Sequence, residues 1–212
     1  MIALVYMASG FGRRYGANKL MEVYHGKPLY EHGLSMLRQV KRMLGEDGHS
    51  VRICTVTNQP DISYSGYLVG VSYENPQAQE GIAASVRVGV KAAHCIGAQM
   101  AVFFVADQPW LTADSVYCFL NDFIKSEKGI GRLTANGKPG NPVAFKKQYF
   151  DELREVSGDK GGRQVIRRHP DDLMEVEVEE KELWDIDCPG DWRGEKLDIS
   201  GKDREIKEKN MS

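Results

Sequence analysis

The chain has 212 residues, 42% hydrophobic and 27% charged, enough for one medium domain with its own core, and no apolar stretch approaches the ~20 residues that span a bilayer. Its formal net charge of −2 offers no basic face for nucleic acid or an anionic membrane, so an anionic ligand has to be held by local groups. The four cysteines, Cys54, Cys95, Cys118 and Cys188, lack the C-x-x-C spacing of a zinc or redox site, and Cys54 and Cys95 read as buried free thiols suited to a reducing cytoplasm.

Residues 2–7 are an unbroken apolar run with no basic segment before it, which predicts a strand covered on both faces rather than a signal peptide. Pro28 opens a helix that carries Leu29, Leu34, Leu37, Val40 and Leu44 at helical spacing. Residues 51–56 read as a second strand and 68–73 as a weaker third. Residues 81–96 read as a helix with Ile82, Val86, Val90 and Ala93 on one face. Residues 100–105 form another fully apolar strand, ending at Asp107-Gln108-Pro109. Thr112, with Ser115 three residues on, then caps a helix that reaches Ile124.

Beyond that point the alternation loosens. Residues 130–135 and 143–145 are expected strands around a turn-rich insertion at 136–142, followed by short helices at 150–156 and 162–169. Met174, Val176 and Val178 alternate with Glu175, Glu177 and Glu179, the pattern of an exposed antiparallel edge strand, and 184–187 is a last short strand. From residue 193 the chain is nearly all polar, so the expected organisation is one domain over 1–192 and a loosely ordered tail over 193–212. The β-α-β-α order predicts a doubly wound α/β domain with an antiparallel elaboration, in which ligands bind beyond the carboxyl ends of the strands.

The first such end carries Ala8, Ser9, Gly10, Phe11, Gly12, Arg14, Gly16 and Lys19. Small residues and glycines let backbone N–H groups approach phosphate oxygens, and Arg14 and Lys19 supply positive charge for a triphosphate. The spacing matches neither the Walker A loop nor G-x-G-x-x-G. A second end presents Asp107, fixed by Pro109 and suited to a hard cation, and near the last expected strand Asp185 and Asp187 fall on one side. Asn58, at the end of the second strand, is within reach of a base. His25, His32, His49, His94 and His169 show no metal or catalytic spacing, and no nucleophile–base pair supports a covalent mechanism.

Residues 7–19 resemble the L-A-A-G-x-S-x-R-M-G-x-x-K signature of nucleotidyltransferases of the molybdenum cofactor cytidylyltransferase type, and Lys27-Pro28-Leu29 resembles their G-K-P-L step. Val105-Ala106-Asp107-Gln108-Pro109 resembles G-D-Q-P, and Asp185-Ile186-Asp187-Cys188-Pro189 resembles D-I-D-T-P. Gly81 to Ser85 resembles a nucleotide-contacting G-x-x-x-S stretch. Gly140-Asn141-Pro142-Val143 resembles G-H-P-V, with Asn141 in place of His, and Gly158-Asp159-Lys160-Gly161-Gly162-Arg163 resembles G-D-x-G-A-R. The likeness runs over roughly residues 1–192. It implies a Rossmann-like three-layer α/β/α nucleotidyltransferase fold with a mainly parallel sheet. It also implies Arg14 and Lys19 at the α-phosphate, Mg²⁺ on Asp107 and Asp187, and a second substrate near Asn141, Pro142, Asp159 and Gly161. The implied reaction transfers CMP from CTP to molybdopterin with release of pyrophosphate, for a client molybdenum hydroxylase. Ser9 stands where related guanylyltransferases have glycine, and its size favours CTP over GTP. Two other readings are compatible with the motifs: a cytidylyl- or sugar-nucleotidyltransferase with another phosphorylated acceptor, and a non-catalytic nucleotide-binding accessory protein. The presence of Arg14, Lys19 and both carboxylates speaks for the enzyme.

Overall fold

The alternation within the first strand sets the architecture. In a computed structural model that describes residues 1–9 and 18–186, β1 (Ile2–Ala8) is buried at every position and lies at the centre of the sheet. Ile2, Leu4, Tyr6 and Ala8 face one apolar layer, and Ala3, Val5 and Met7 face the other. Period-two side-chain direction thus makes a run that is apolar throughout the middle of a three-layer α/β/α sandwich.

After the small hairpin β2 (Val23–Tyr24) and β3 (Lys27–Pro28), α1 (Leu29–Glu46) packs on the first face. Then follow β4 (Val51–Thr57), α2 (Pro60–Val69), β5 (Val71–Glu74) and α3 (Ile82–Cys95), which covers the second face. β6 (Met100–Val105) leads to α4 (Ala113–Lys125), whose Val116, Phe119, Leu120 and Phe123 join the first layer. Thr112 caps α4 as expected, its hydroxyl accepting from the Ser115 N–H. β7 (Ile130–Ala135), β8 (Lys138–Lys146), α5 (Phe150–Arg154), α6 (Arg163–Arg168) and β9 (Leu173–Glu177) complete the described chain. The sheet order is β5-β4-β1-β6-β8-β7-β9, and β8 alone runs against its neighbours. The fold is therefore the mainly parallel α/β class read from the sequence.

Five local expectations change. Residues 60–69, the last two of them assigned to a strand, form α2: Pro60 sits in its first turn, and Gly66 lets the helix close on Thr55, where a Cβ would come within 2.7 Å of the Thr55 Cβ. Only Ile62 and Gly66 are buried in α2, so it shows no apolar stripe. The 136–142 insertion is a tight hairpin instead, with Asn136 and Gly137 at φ 51° and 70°. β9 is an edge strand but pairs parallel to β7, because the chain crosses over through α5 and α6 before returning. Residues 184–186 form no strand and follow a short 3₁₀ turn, Glu180–Leu183. Cys54 is buried, but Cys95, on the outer side of α3, is exposed, as is Cys118. Cys188 and the 193–212 tail lie outside the described residues. Among the described residues no helix is long and apolar enough to cross a membrane.

Candidate active site

Strand order reverses around β1: β4 and β5 lie to one side and β6 to the other. A crevice opens at the carboxyl ends of strands at such a point. Asp107 stands there, two residues beyond β6, where the buried Ala106 ends the apolar run. Its Oδ2 accepts a hydrogen bond from Lys19 Nζ at 2.8 Å, and the same ammonium donates to the Ile186 carbonyl at 2.7 Å. The Ile186 N–H in turn donates to the Asp107 carbonyl at 3.0 Å. Three distant stretches of chain are knotted at one point.

Lys19 is carried by a 3₁₀ turn, Lys19–Met21, capped by Asn18. With side chains 13% and 23% exposed, Lys19 and Asp107 form a half-sheltered pair, less screened than one on the surface. Oδ1 of Asp107 has no partner among the described residues. Behind β1, the wholly buried Tyr6 donates to the Tyr30 carbonyl at 2.7 Å; burial first, and the Asp107 charge second, push its phenol well above the ordinary range.

A cavity of about 420 Å³ adjoins the pair, with Met7, Ser9, Lys19 and Asp107 on one side and Gly81 and Ser85 on the other. The Ser9 hydroxyl donates to the Val56 carbonyl at 3.1 Å, so it is turned toward the sheet. Ala8 takes part through its backbone, its carbonyl accepting from the Thr57 hydroxyl at 2.9 Å. Gly81 begins α3 at φ 95° and ψ −170°, a conformation open to glycine, and a Cβ there would overlap the Asp159 carboxylate. Ser85 accepts a hydrogen bond at 3.0 Å from the amide of Asn75, whose own Oδ1 is buried and unpartnered. Asn58 also has a buried, unpartnered Oδ1 but does not line this cavity.

A second cavity, about 160 Å³, shares Met7, Ile82 and Asp159 with the first. Asn141, Asp159 and Gly161 line it; Pro142 does not. The cause lies in a bulge. Arg132 pairs with Val143 and Thr134 with Pro139, so β8 carries two extra residues within Gly140, Asn141 and Pro142, which pushes Asn141 out of the ladder. Of the residues read from the sequence, the fold brings together Ser9, Lys19, Gly81, Ser85 and Asp107, with Asn141, Asp159 and Gly161 next to them. Gly10, Phe11, Gly12, Arg14 and Asp187 lie outside the described residues.

Asn75 and Glu182 are not among the residues expected from the sequence. Asn75 directly precedes Pro76 at the end of β5, a signal open to inspection. Glu182 sits in a charged stretch with nothing to mark it, yet it is buried and accepts from the Thr112 N–H, the Thr112 hydroxyl and the Ser115 hydroxyl at 2.8–2.9 Å. It pins the segment ending at Ile186 to the start of α4. Among the described residues no three His, Cys, Asp or Glu side chains converge. One carboxylate with a spare oxygen at a cavity of about 420 Å³ does fit a cation such as Mg²⁺, which takes one or two carboxylates and completes its shell with water and phosphate oxygens.

Known proteins share the sequence pattern and the fold. Purine catabolism protein PucB of Bacillus subtilis (strain 168) is 26% identical over 206 residues, 89% of this chain and 92% of PucB. Rv0371c of Mycobacterium tuberculosis H37Rv superposes with a TM-score of 0.72 at 22% identity, covering 91% of this chain and 95% of that one. Its complex with manganese gives 0.71 at 20% identity, covering 91% and 96%. A CMP:2-keto-3-deoxy-manno-octonic acid synthetase complexed with CTP gives 0.70 at 13% identity, covering 89% and 94%. At these identities the solved structures speak for the fold alone. Residues 4–173 match the MobA-like NTP transferase domain, from within β1 to the start of β9 and including Lys19, Asp107 and the lining of both cavities. The chain belongs to the MobA-like NTP transferase family and is a nucleotidyltransferase.

Proposed function

We propose that this nucleotidyltransferase transfers CMP from CTP to the phosphate of molybdopterin, releasing pyrophosphate. The observation that carries the reading is the Lys19–Asp107 pair at the rim of the larger cavity, with the second cavity alongside it. Two adjoining cavities, the larger lined by that charged pair and joined to the second along Met7, Ile82 and Asp159, suit an in-line transfer between two bound substrates, in which positioning and charge neutralisation supply most of the rate.

CTP lies in the larger cavity, its base toward Ser9 and Ser85 and Asn58 behind it. Its phosphates lie under the backbone amides of Ala8, Ser9, Gly10, Phe11 and Gly12. Lys19 swings from Asp107 to the α-phosphate, and Arg14 joins it. The acceptor phosphate enters past Asn141, Pro142, Asp159 and Gly161, attacks the α-phosphorus, and pyrophosphate leaves on the loop side. Asp107 and Asp187 would hold Mg²⁺, which would supply Lewis-acid polarisation of the α-phosphate. The preference for CTP draws on Ser9 in place of glycine and on the likeness to a synthetase solved with CTP. The need for a divalent cation draws on Asp107 and on a fold relative solved with manganese. The catalytic unit spans residues 1–192, works in the cytoplasm and serves a client molybdenum hydroxylase; residues 193–212 are a tail outside it.

The test is pyrophosphate release from purified protein with Mg²⁺, molybdopterin and each nucleoside triphosphate in turn. Release with CTP above GTP, dependent on the acceptor, is expected. Nucleotide binding without turnover on any triphosphate would sink the reading and favour an accessory protein.

A further inference from the structure

At the far end of the second cavity lies a smaller one of about 200 Å³, lined by Arg132, Pro139, Arg163, Ile166 and Arg167. Four of these residues, Arg132, Pro139, Arg163 and Ile166, also line the second cavity, so the two adjoin. We propose that these three arginines form an anion site for a second negatively charged group on the acceptor, at the end away from the phosphate that takes the nucleotidyl group. The inference rests on the transfer reaction proposed above and adds a subsite that holds the far end of the acceptor.

Arg163 and Arg167 stand four residues apart on α6, where like charges face each other and repel. Neither has a carboxylate partner among the described residues, whereas their neighbour Arg168 pairs with Glu152 at 3.1 Å. Arg132 reaches the same concavity from β7, at the residue where the bulge begins. Its Nε and Nη2 both sit on one oxygen of Glu175, at 2.7 and 2.6 Å, which fixes the guanidinium and leaves Nη1 without a partner. Three guanidiniums thus face a single carboxylate.

Two exposed arginines on a helix are by themselves an ordinary solvated face. Here a third, held rigid on a different element, converges with them around a floor of Pro139 and Ile166. An apolar floor under planar, forked donors favours an oxyanion over bulk solvent. Between this end and the nucleotide cavity, the second cavity offers Phe103, Val143 and Phe145, an apolar stretch suited to a ring. The acceptor is then a phosphate monoester with a ring in its middle and a second anion at its far end. That anion is a carboxylate, a phosphate or a metal oxyanion.

The test uses the full chain and the ¹⁵Nε–H signals of its arginines, titrated with inorganic phosphate, succinate and molybdate at constant ionic strength. Arg132, Arg163 and Arg167 are expected to shift together and saturably, with the tightest of the three anions naming the chemistry. In R163A/R167A the Arg132 response should weaken roughly tenfold or more, about the loss of one charge-assisted contact. R163K/R167K should recover part of it. Both altered residues are unpaired, so an unchanged melting temperature is expected. In the transfer assay R163A/R167A should raise the KM for the acceptor roughly tenfold and leave the KM for CTP unchanged. Shifts that grow linearly and match those of the exposed Arg42, or an unaltered acceptor KM in an active double variant, would overturn the anion site. Saturable shifts in a chain that transfers no nucleotide would instead leave the site standing and remove the reaction proposed for it.

Discussion

Replacing Glu182 by Ala tests how the site is held together at a place remote from the chemistry. The carboxylate takes three hydrogen bonds from the first turn of α4 and its cap, and so fixes the 3₁₀ turn that leads to Ile186. A bond to a charged group contributes about 1.5–3 kcal/mol, but three donors share one carboxylate and would be solvated when it is gone, so the expected loss is ~2–4 kcal/mol. At ~2–4 °C per kcal/mol for a chain of this size, a cooperative loss lowers Tm by ~4–16 °C. Release of the segment alone, without global unfolding, is opposed by Gln108 Nε2 donating to the Leu183 carbonyl at 3.2 Å and by the two Ile186 contacts. Differential scanning calorimetry and amide exchange at Ile186 read the two modes. Either way the Ile186 N–H, now bonded to the Asp107 carbonyl, should lose protection, and kcat should fall more than binding of CTP. Glu182→Gln should be milder, since its amide oxygen still accepts. A Tm within about 1 °C of the parent together with unchanged exchange at Ile186 would refute the reasoning.

Gly81→Ala should cost ~1–3 kcal/mol in backbone strain alone, with a further steric part from Asp159 that Asp159→Gly in the same chain relieves; additive melting shifts would argue against that contact. Thiol labelling at pH 8 followed by mass spectrometry should mark Cys95 and Cys118 and spare Cys54, whose pKa burial raises to about 11; equal labelling of Cys54 would show that β4 opens readily. Acid should loosen the outer end of the sheet. Burial works to raise the pKa of both Glu152 and Asp172, but Arg168 and His169 outweigh it at Glu152, and the Tyr149 hydroxyl and the Gly129 N–H outweigh it at Asp172, leaving both lowered. A carboxylate lowered on folding stabilises above its unfolded pKa and loses that contribution as pH falls through the folded one. Melting temperature should therefore drop below about pH 4, and Asp172→Asn should flatten that drop; an unflattened acid limb would place the sensitive groups elsewhere.

The parts of the fold legible in the sequence are those where one physical demand dominates. A strand buried on both faces must be apolar at every position, and β1 and β6 are. A carboxylate just past such a strand has few places to go but the crevice, which is why Asp107 stands out. Thr112 met the demands of a cap with its own side chain. Where two demands compete, the pattern fades. α2 buries little and packs through a glycine, so its helical period does not show. β9 has the alternation of any edge strand, and nothing in that alternation records direction; the crossover through α5 and α6 does. Lys19 was legible as a base on a loop, but its bond to Asp107 spans 88 residues and belongs to the tertiary structure. Glu182 and the arginine cluster gain their meaning only from what the fold sets beside them.

The claim that nucleotidyl transfer takes place beside Asp107 is tested most directly by following α-labelled CTP with Mg²⁺ and molybdopterin in the wild type and in Asp107→Asn. Asn keeps an oxygen for Lys19, so the folded variant should still bind CTP. The account predicts label passing to the acceptor in the wild type and a loss of roughly 10²-fold or more in Asp107→Asn, the scale seen when a group that stabilises the transition state is removed. Transfer at the wild-type rate by Asp107→Asn would contradict it.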